Sequence, residues 1–287
     1  MKNSDITDPL FKIAVEAIDE GRITELQDLI AEHPELIKER LITFEEGYFK
    51  DPYLIYFIAD NPIRNGKLAP DITDITRLLI KEVKRRSKEN WKEQLNYTLG
   101  LVVTGSIPRE CGVQIELADL LIDEGASPGG ALGALAHGNT DAAKHLVKRG
   151  GELQLGTAVG LKYSKKDILR LAANASDSEK TTALTVAAFY GDAEMISFLL
   201  SNGFKPDGYP DNKEGFHSHA TPLHQAVYSG SLGAVKHLVK AGARLDRKDK
   251  IFGGTPLGWA KHMQTEAIDA EIKTKYKEIE IYLFSKE

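Results

Sequence analysis

The chain of 287 residues has a single cysteine, no long apolar run and no strong excess of charge of either sign. Its one cysteine, Cys111, excludes an internal disulfide framework and suits a reducing compartment, so we expect a cytoplasmic protein. No run approaches the ~18 apolar residues that a membrane-spanning helix needs. The first residues lack the apolar segment of a secretory signal, and we therefore expect no export.

The net charge is −5, with both signs spread along the chain. This distribution gives no basic footprint for nucleic acid, so we predict no nucleic-acid partner. One charged run, K-R-R-S-K-E-N at residues 84–90, stands out. We interpret it as a solvated helix end, with a basic docking patch as the alternative.

Motifs of catalytic chemistry are also absent from the sequence. It contains no G-x-S-x-G, no phosphate-binding loop, no H-E-x-x-H and no dinucleotide-binding fingerprint. Cys111 would need a base and a lowered pKa to act as a nucleophile, and no histidine is tied to it by the sequence. We predict that the chain is not an enzyme and needs no cofactor. An enzyme concealed in the N-terminal half is a weaker alternative.

What the sequence does contain is a helical hairpin at residues 221–243, T-P-L-H-Q-A-V-Y-S-G-S-L-G-A-V-K-H-L-V-K-A-G-A. Thr221 is a good N-cap, and Pro222 suits the first helical position because its missing N–H costs nothing there. Gly230 separates the two helices and Gly242 ends the second. Neither helix is long enough to be stable alone, so the hairpin needs a neighbour.

The sequence repeats this hairpin. T-P-L-G-W-A begins at Thr255, 34 positions after Thr221, and related segments begin at residues 129 and 182. The chain resembles the ankyrin-repeat family, whose repeats have a period of about 33 residues and the signature T-P-L-H-x-A. The resemblance implies an all-α ankyrin-repeat solenoid of stacked helix-turn-helix hairpins with short β-hairpin or loop fingers.

We expect one continuous domain over residues 1–287, built from about eight hairpins. Residues 1–128 hold atypical repeats and residues 129–287 the better-matching ones. We expect a long loop at residues 105–114, since insertions in repeats usually become loops. G-F-H-S-H-A-T-P-L-H, G-G-T-P-L-G-W and P-R-E-C-G-V-Q resemble segments of a group of bacterial ankyrin proteins that has no assigned activity.

The resemblance also implies a binding face. In ankyrin repeats the two residues before the hairpin glycine project toward the concave side. The corresponding positions with side chains suited to contact are His137, Phe189, Tyr190, Tyr228, Ser229 and His262. Aromatic residues give large contact area at low entropic cost. We therefore predict a non-catalytic, monomeric scaffold that binds a protein partner in its groove. The alternative is that Phe189 and Tyr190 only pack under the segment 204–220, and we expect Trp259 in the core.

The segment before Thr221 forms a long finger that contains Glu214, Phe216, His217 and His219. We expect these four residues to contact the partner across the sixth and seventh repeats. Two imidazoles and a carboxylate can also bind a transition metal, so a small-ligand or metal-binding protein using His217 and His219 is the alternative function. We favour a structural role for both histidines and predict no metal. The resemblance implies that His224, the signature histidine of T-P-L-H, bonds neighbouring main chain and fixes adjacent turns.

Overall fold

The computed structural model describes residues 5–43, 46–210 and 215–286 of the chain. About 61% is helical and the described residues form no strand, apart from an isolated bridge between Gly130 and Glu152. This confirms the all-α class, and the described fingers are of the loop kind. No helix in the described ranges is long and apolar enough to cross a membrane. The chain divides into two compact units, residues 1–152 and 153–287, and the expectation of a single domain stays a prediction.

The first unit begins with the predicted hairpin. Asp8 caps α1, with its Oδ1 accepting a hydrogen bond from the Phe11 N–H at 2.9 Å, and Pro9 occupies the first helical position. The helices of this unit are α1 (Pro9–Glu20), α2 (Ile23–Glu32), α3 (Glu35–Lys38), a 3-10 helix (Leu54–Ala59), α4 (Ile72–Arg86), α5 (Trp91–Thr104), α6 (Ser106–Glu110), α7 (Gln114–Asp123), α8 (Leu132–Ala136) and α9 (Thr140–Lys148).

Two segments of the first unit differ from expectation. The loop expected at residues 105–114 contains a short helix, α6, because Ile107 and Pro108 are buried against the unit. The Gln114 side chain closes the same segment by donating to the carbonyls of Val102 and Gly105 at 3.0 and 3.1 Å. The apolar run before α4 is buried, and it forms a 3-10 helix in place of the first helix of a hairpin.

The second unit contains four successive hairpins. Their helices are α10 (Leu155–Gly160), α11 (Lys165–Ala172), α12 (Asp177–Phe189), α13 (Ala193–Ser201), α14 (Pro222–Tyr228), α15 (Leu232–Lys240), α16 (Pro256–Glu266) and α17 (Ala270–Phe284). First helices pack on first helices, as α12 does on α14 and α14 on α16, and second helices pack in the same way. This stacking buries Leu223, Ala226 and Val235 completely or almost so.

Candidate functional site

The finger before Thr221 is fixed to α14 by one buried side chain. Gln225 donates through Nε2 to the carbonyl oxygens of Phe216 at 2.6 Å and His217 at 3.3 Å. Its Oε1 lies 3.3 Å from the Nδ1 of His217 and accepts from it. Phe216 and His217 both adopt positive φ, at 55° and 45°, so the main chain turns sharply over Gln225. Residues 215–220 of the finger are therefore held against the repeat.

His224 has the structural role that the resemblance implies. Its Nδ1 accepts from the Thr221 N–H at 3.3 Å and lies 2.8 Å from Thr221 Oγ1, so the proton is on Nε2. Nε2 donates to the Gly254 carbonyl at 3.0 Å and so joins the last two hairpins. Burial lowers the pKa of His224. The imidazole is thus neutral at pH 7, and both of its nitrogens are used in hydrogen bonds within the repeats.

The aromatic surface consists of Phe189, Tyr190, Phe216 and Tyr228. The half-buried Phe189 ring lies at its centre, with ring centroids 5.1 Å from Phe216, 5.5 Å from Tyr190 and 5.7 Å from the stacked ring of Tyr228. Phe216 is only 2% exposed and supports the surface from below, which corrects its expected role as a contact residue. Phe189 packs against the finger, as the alternative had it. Tyr190 and Tyr228 remain 39% and 37% exposed.

A cleft of about 530 Å³ lies beside this surface. The ring of Tyr228 is 4.7 Å from that of His217 and borders both features. The lining residues are His217, His219, Tyr228, Phe252, Gly254, Gly258, Trp259, His262 and Met263. The cleft therefore brings together four of the predicted site residues from the finger, α14 and α16.

Trp259 was expected in the core, but it is only half-buried and forms one wall of the cleft. Its ring lies 5.8 Å from His217 and 6.0 Å from His219. Phe252, whose ring lies 5.8 Å from His219 on the other side, was not predicted as a site residue. The available signal was an apolar pair, I-F, placed just before G-G-T-P, where the repeat pattern puts a finger tip.

Asp249 holds the turn that carries Phe252. Its carboxylate accepts from the main-chain N–H groups of Ile251, Phe252 and Gly254 at 2.6–3.0 Å and from Trp259 Nε1 at 3.1 Å. Burial opposes ionisation, but these hydrogen bonds outweigh it and lower the pKa of Asp249 to about 2. A fixed negative charge therefore lies directly behind the cleft.

The other predicted site residues are less concentrated. Ser229 directs its Oγ into a hydrogen bond to the Ala226 carbonyl at 2.9 Å. His262 is exposed at the cleft. His137 belongs to the first unit, where its Nδ1 lies 2.8 Å from the Gly133 carbonyl. Glu214 lies outside the described residues, and within those residues no three His, Cys, Asp or Glu side chains are close enough to hold a metal ion.

Comparison with known proteins identifies a family for part of the chain. Residues 110–249 match the family Ankyrin repeats, in three copies. The potassium channel GORK of Arabidopsis thaliana is 39% identical over 71 residues, which cover 25% of this chain and only 8% of the channel.

Two solved ankyrin repeat domains are also similar. The domain of human ASB11 is 18% identical, with 94% of this chain and 96% of that chain covered and a TM-score of 0.32. The domain of Bcl-3 is 18% identical, with 78% and 97% covered and a TM-score of 0.31. With the T-P-L-H hydrogen bonds and the stacked hairpins, the family match leads to one conclusion: residues 110–249 of this chain form ankyrin repeats.

Proposed function

We propose that the chain is a non-catalytic scaffold that binds a protein partner on the aromatic surface of its second unit. Ankyrin repeats generally mediate protein–protein interactions. The observation that carries the proposal is that Tyr190 and Tyr228 are exposed while Phe189 holds their rings in place. Side chains that are already ordered lose little entropy on binding, so more of the contact energy appears as affinity.

The finger and the cleft extend this surface. We propose that the partner lies across the sixth and seventh repeats and also touches His217, His219 and Ser229, with His262 at the far edge of the cleft. His137 stays a proposed contact of the first unit. The scaffold acts as a cytoplasmic monomer, and its place in a bacterial group stays a prediction.

The first test identifies the partner by contact. A photo-crosslinking amino acid at Tyr190 will capture the bound protein in cells, and the dissociation constant of that protein is then measured against wild type and the double variant Tyr190→Ala, Tyr228→Ala. Truncating an aromatic anchor commonly costs about 2 kcal/mol or more. We therefore expect binding to weaken well over tenfold.

The matched control is Tyr97→Ala in the first unit. Tyr97 is also 37% exposed and stacks on Tyr56 with ring centroids 4.7 Å apart, so its truncation has a similar effect on local packing. Binding should be unchanged in this control. Because the rings of Tyr190 and Tyr228 both pack on Phe189, the unfolding midpoint of each variant is measured beside its affinity, which separates loss of contact from loss of stability. Normal binding by the double variant would show that the partner uses another surface.

A second candidate function is that of a small-ligand protein using His217 and His219. The cleft favours it, because both histidines line a cavity of about 530 Å³ that is large enough for a small organic molecule. The two functions use overlapping surfaces that share Tyr228 and three histidines, His217, His219 and His262. Ligand titration of the purified chain, described next, tests this candidate independently of any partner.

A further inference from the structure

We propose that the cleft binds an organic ammonium ion that carries N-methyl groups. This inference rests on the second candidate function, and the cleft overlaps the partner-binding surface without including Tyr190. The ligand chemistry is shared by free amines such as choline and by a methylated lysine side chain. Three features of the cleft favour such a ligand: the rings around it, the charge behind it, and the neutral state of His217 in its lining.

The rings provide the faces that such a cation prefers. Tyr228, Trp259 and Phe252 surround the adjacent imidazoles of His217 and His219, whose centroids are 5.8 Å apart. A cation within about 6 Å of an aromatic face is attracted by the ring quadrupole, and several rings together form a cage for methylated ammonium groups. The glycines at 254 and 258 leave open space between these walls.

The electrostatics of the cleft favour a cation over a neutral or anionic ligand. The Asp249 carboxylate lies behind the wall, bonded to Trp259 Nε1, and a Cβ built on Gly254 would come within 3.1 Å of its Oδ2. This charge attracts a cation into the cleft.

Positive groups are kept away from the same place. None of the described lining residues is a lysine or an arginine. Lys250, two residues before Phe252, places its ammonium 4.3 Å from the centroid of the Tyr209 ring, which is outside the lining set. Burial lowers the pKa of His217, so its imidazole is neutral at pH 7. The cleft therefore offers aromatic rings and one fixed negative charge, that of Asp249, behind its wall.

The test compares choline with 3,3-dimethylbutan-1-ol, which has the same shape but a carbon in place of the charged nitrogen. The purified chain is titrated with each, and Trp259 fluorescence is followed in a Trp91→Phe background because the chain has only two tryptophans. A cation–π contribution of about 1.4 kcal/mol corresponds to tenfold in affinity, so we expect choline to bind at least about tenfold more tightly. Equal affinities, or no binding of choline, would overturn the proposal.

Phe252→Leu separates the ring from its hydrophobicity. Phe252 is 79% exposed, so the variant should fold normally, and leucine keeps the wall apolar. We expect choline binding to weaken about threefold or more while binding of the neutral alcohol hardly changes. The matched control is Phe284→Leu, because Phe284 is 70% exposed on α17 and lies outside the lining set. Unchanged choline binding by Phe252→Leu would count against the cage.

A peptide that contains trimethyllysine, compared with its unmodified form and with choline, distinguishes the two sources of the ligand. Tighter binding of the methylated peptide assigns the site to a protein side chain, and preference for choline assigns it to a free amine. Tyr190→Ala separates the two functions, because Tyr190 lies outside the cleft lining. This variant should lose partner binding and keep choline binding. If the partner fails to depend on Tyr190 while choline binds normally, only the scaffold function is wrong.

Discussion

At the scale of single residues, Gln225 and His224 show what a repeat signature can and cannot predict. The histidine is a specified position of T-P-L-H-x-A, and its bond to the Gly254 carbonyl follows from the resemblance. Gln225 occupies the unspecified position x, yet it is fully buried and holds the finger. Its role depends on the conformation of a finger found in this chain, which no general repeat pattern encodes.

Gln225→Leu should therefore destabilise the second unit by about 2 kcal/mol or more. Leucine fills similar space, but it leaves the Phe216 carbonyl and His217 Nδ1 without their partner, and an unsatisfied buried polar group costs ~1–3 kcal/mol. Urea unfolding followed by Trp259 fluorescence in the Trp91→Phe background measures the change.

The control for this variant is Gln264→Leu. Gln264 is only part-buried, and its side chain donates to the Ala260 carbonyl of α16 and to the Glu280 carboxylate of α17. It should cost less than about 1 kcal/mol. If the two variants lower the free energy of unfolding equally, the bonds of Gln225 to the finger do not stabilise the second unit more than an ordinary surface hydrogen bond.

At the scale of helices, the sequence predicts hairpins well and their edges poorly. The glycine turns and the T-P starts locate α14 and α16 to the residue. The start of α12 lies five residues before the repeat signature, because Ser176 and Glu179 form a capping box that extends the helix. Helix α6 was missed because its five residues depend on burial of Ile107 by the rest of the unit.

Substitution of two turn glycines separates the cost of a steric clash between neighbouring hairpins from the cost of a positive φ. Gly191 and Gly242 both have positive φ, at 64° and 96°. A Cβ on Gly191 would lie 3.0 Å from the Cβ of Ser231 in the next hairpin, whereas one on Gly242 would meet no atom within 4 Å. Gly242→Ala should thus cost only the ~1–2 kcal/mol of the left-handed conformation. Gly191→Ala should cost more.

Thermal unfolding of the two glycine variants, in parallel with wild type, measures this difference. The Gly191→Ala midpoint should be the lower of the two by several degrees, since about 1 kcal/mol shifts the midpoint of a domain of this size by about 4 °C. Identical midpoints would mean that neighbouring hairpins relax around the added methyl group at no cost.

At the scale of the whole molecule, the repeat pattern of the sequence changes after residue 128, whereas the boundary between the two compact units lies after residue 152. The hairpin of α8 and α9 matches the repeats of the second unit in sequence, but it belongs to the first unit. Helix α8 packs on α5, and the Asn139 side chain donates to the Val103 carbonyl at 2.8 Å. Arg149 also forms ion pairs with Asp119 and Asp123 of α7. These contacts involve residues outside the repeat signature, so the signature could not predict them.

The stability of the second unit should fall as the pH is lowered from 7 toward 5.5. Burial lowers the pKa values of His217 and His224 below the ordinary value of about 6.5. The unfolded chain therefore binds protons in this range while the folded chain resists them, and each such group reduces stability by up to ~1.4 kcal/mol per pH unit. Above about pH 7.5 the stability should be constant, because both states are neutral at these positions.

Urea unfolding of the Trp91→Phe chain across this pH range tests the expectation. The titration of Asp249 does not interfere, because its pKa of about 2 contributes stability that is lost only below about pH 4. His217→Gln should flatten part of the slope. A midpoint that does not change between pH 7 and 5.5 would contradict neutral, buried histidines.

The hold of Gln225 on the finger has a further consequence for motion. The Ala220 N–H, which donates to the His217 carbonyl at 2.8 Å, lies in a segment whose main chain is bonded to a side chain of α14. Its exchange with deuterium therefore requires the opening of that anchor, and its protection should follow that of the helix amides. We therefore expect the cleft wall formed by His217 and His219 to open only when the repeat itself unfolds locally. Ligand affinity should then depend on the local folding equilibrium of this repeat.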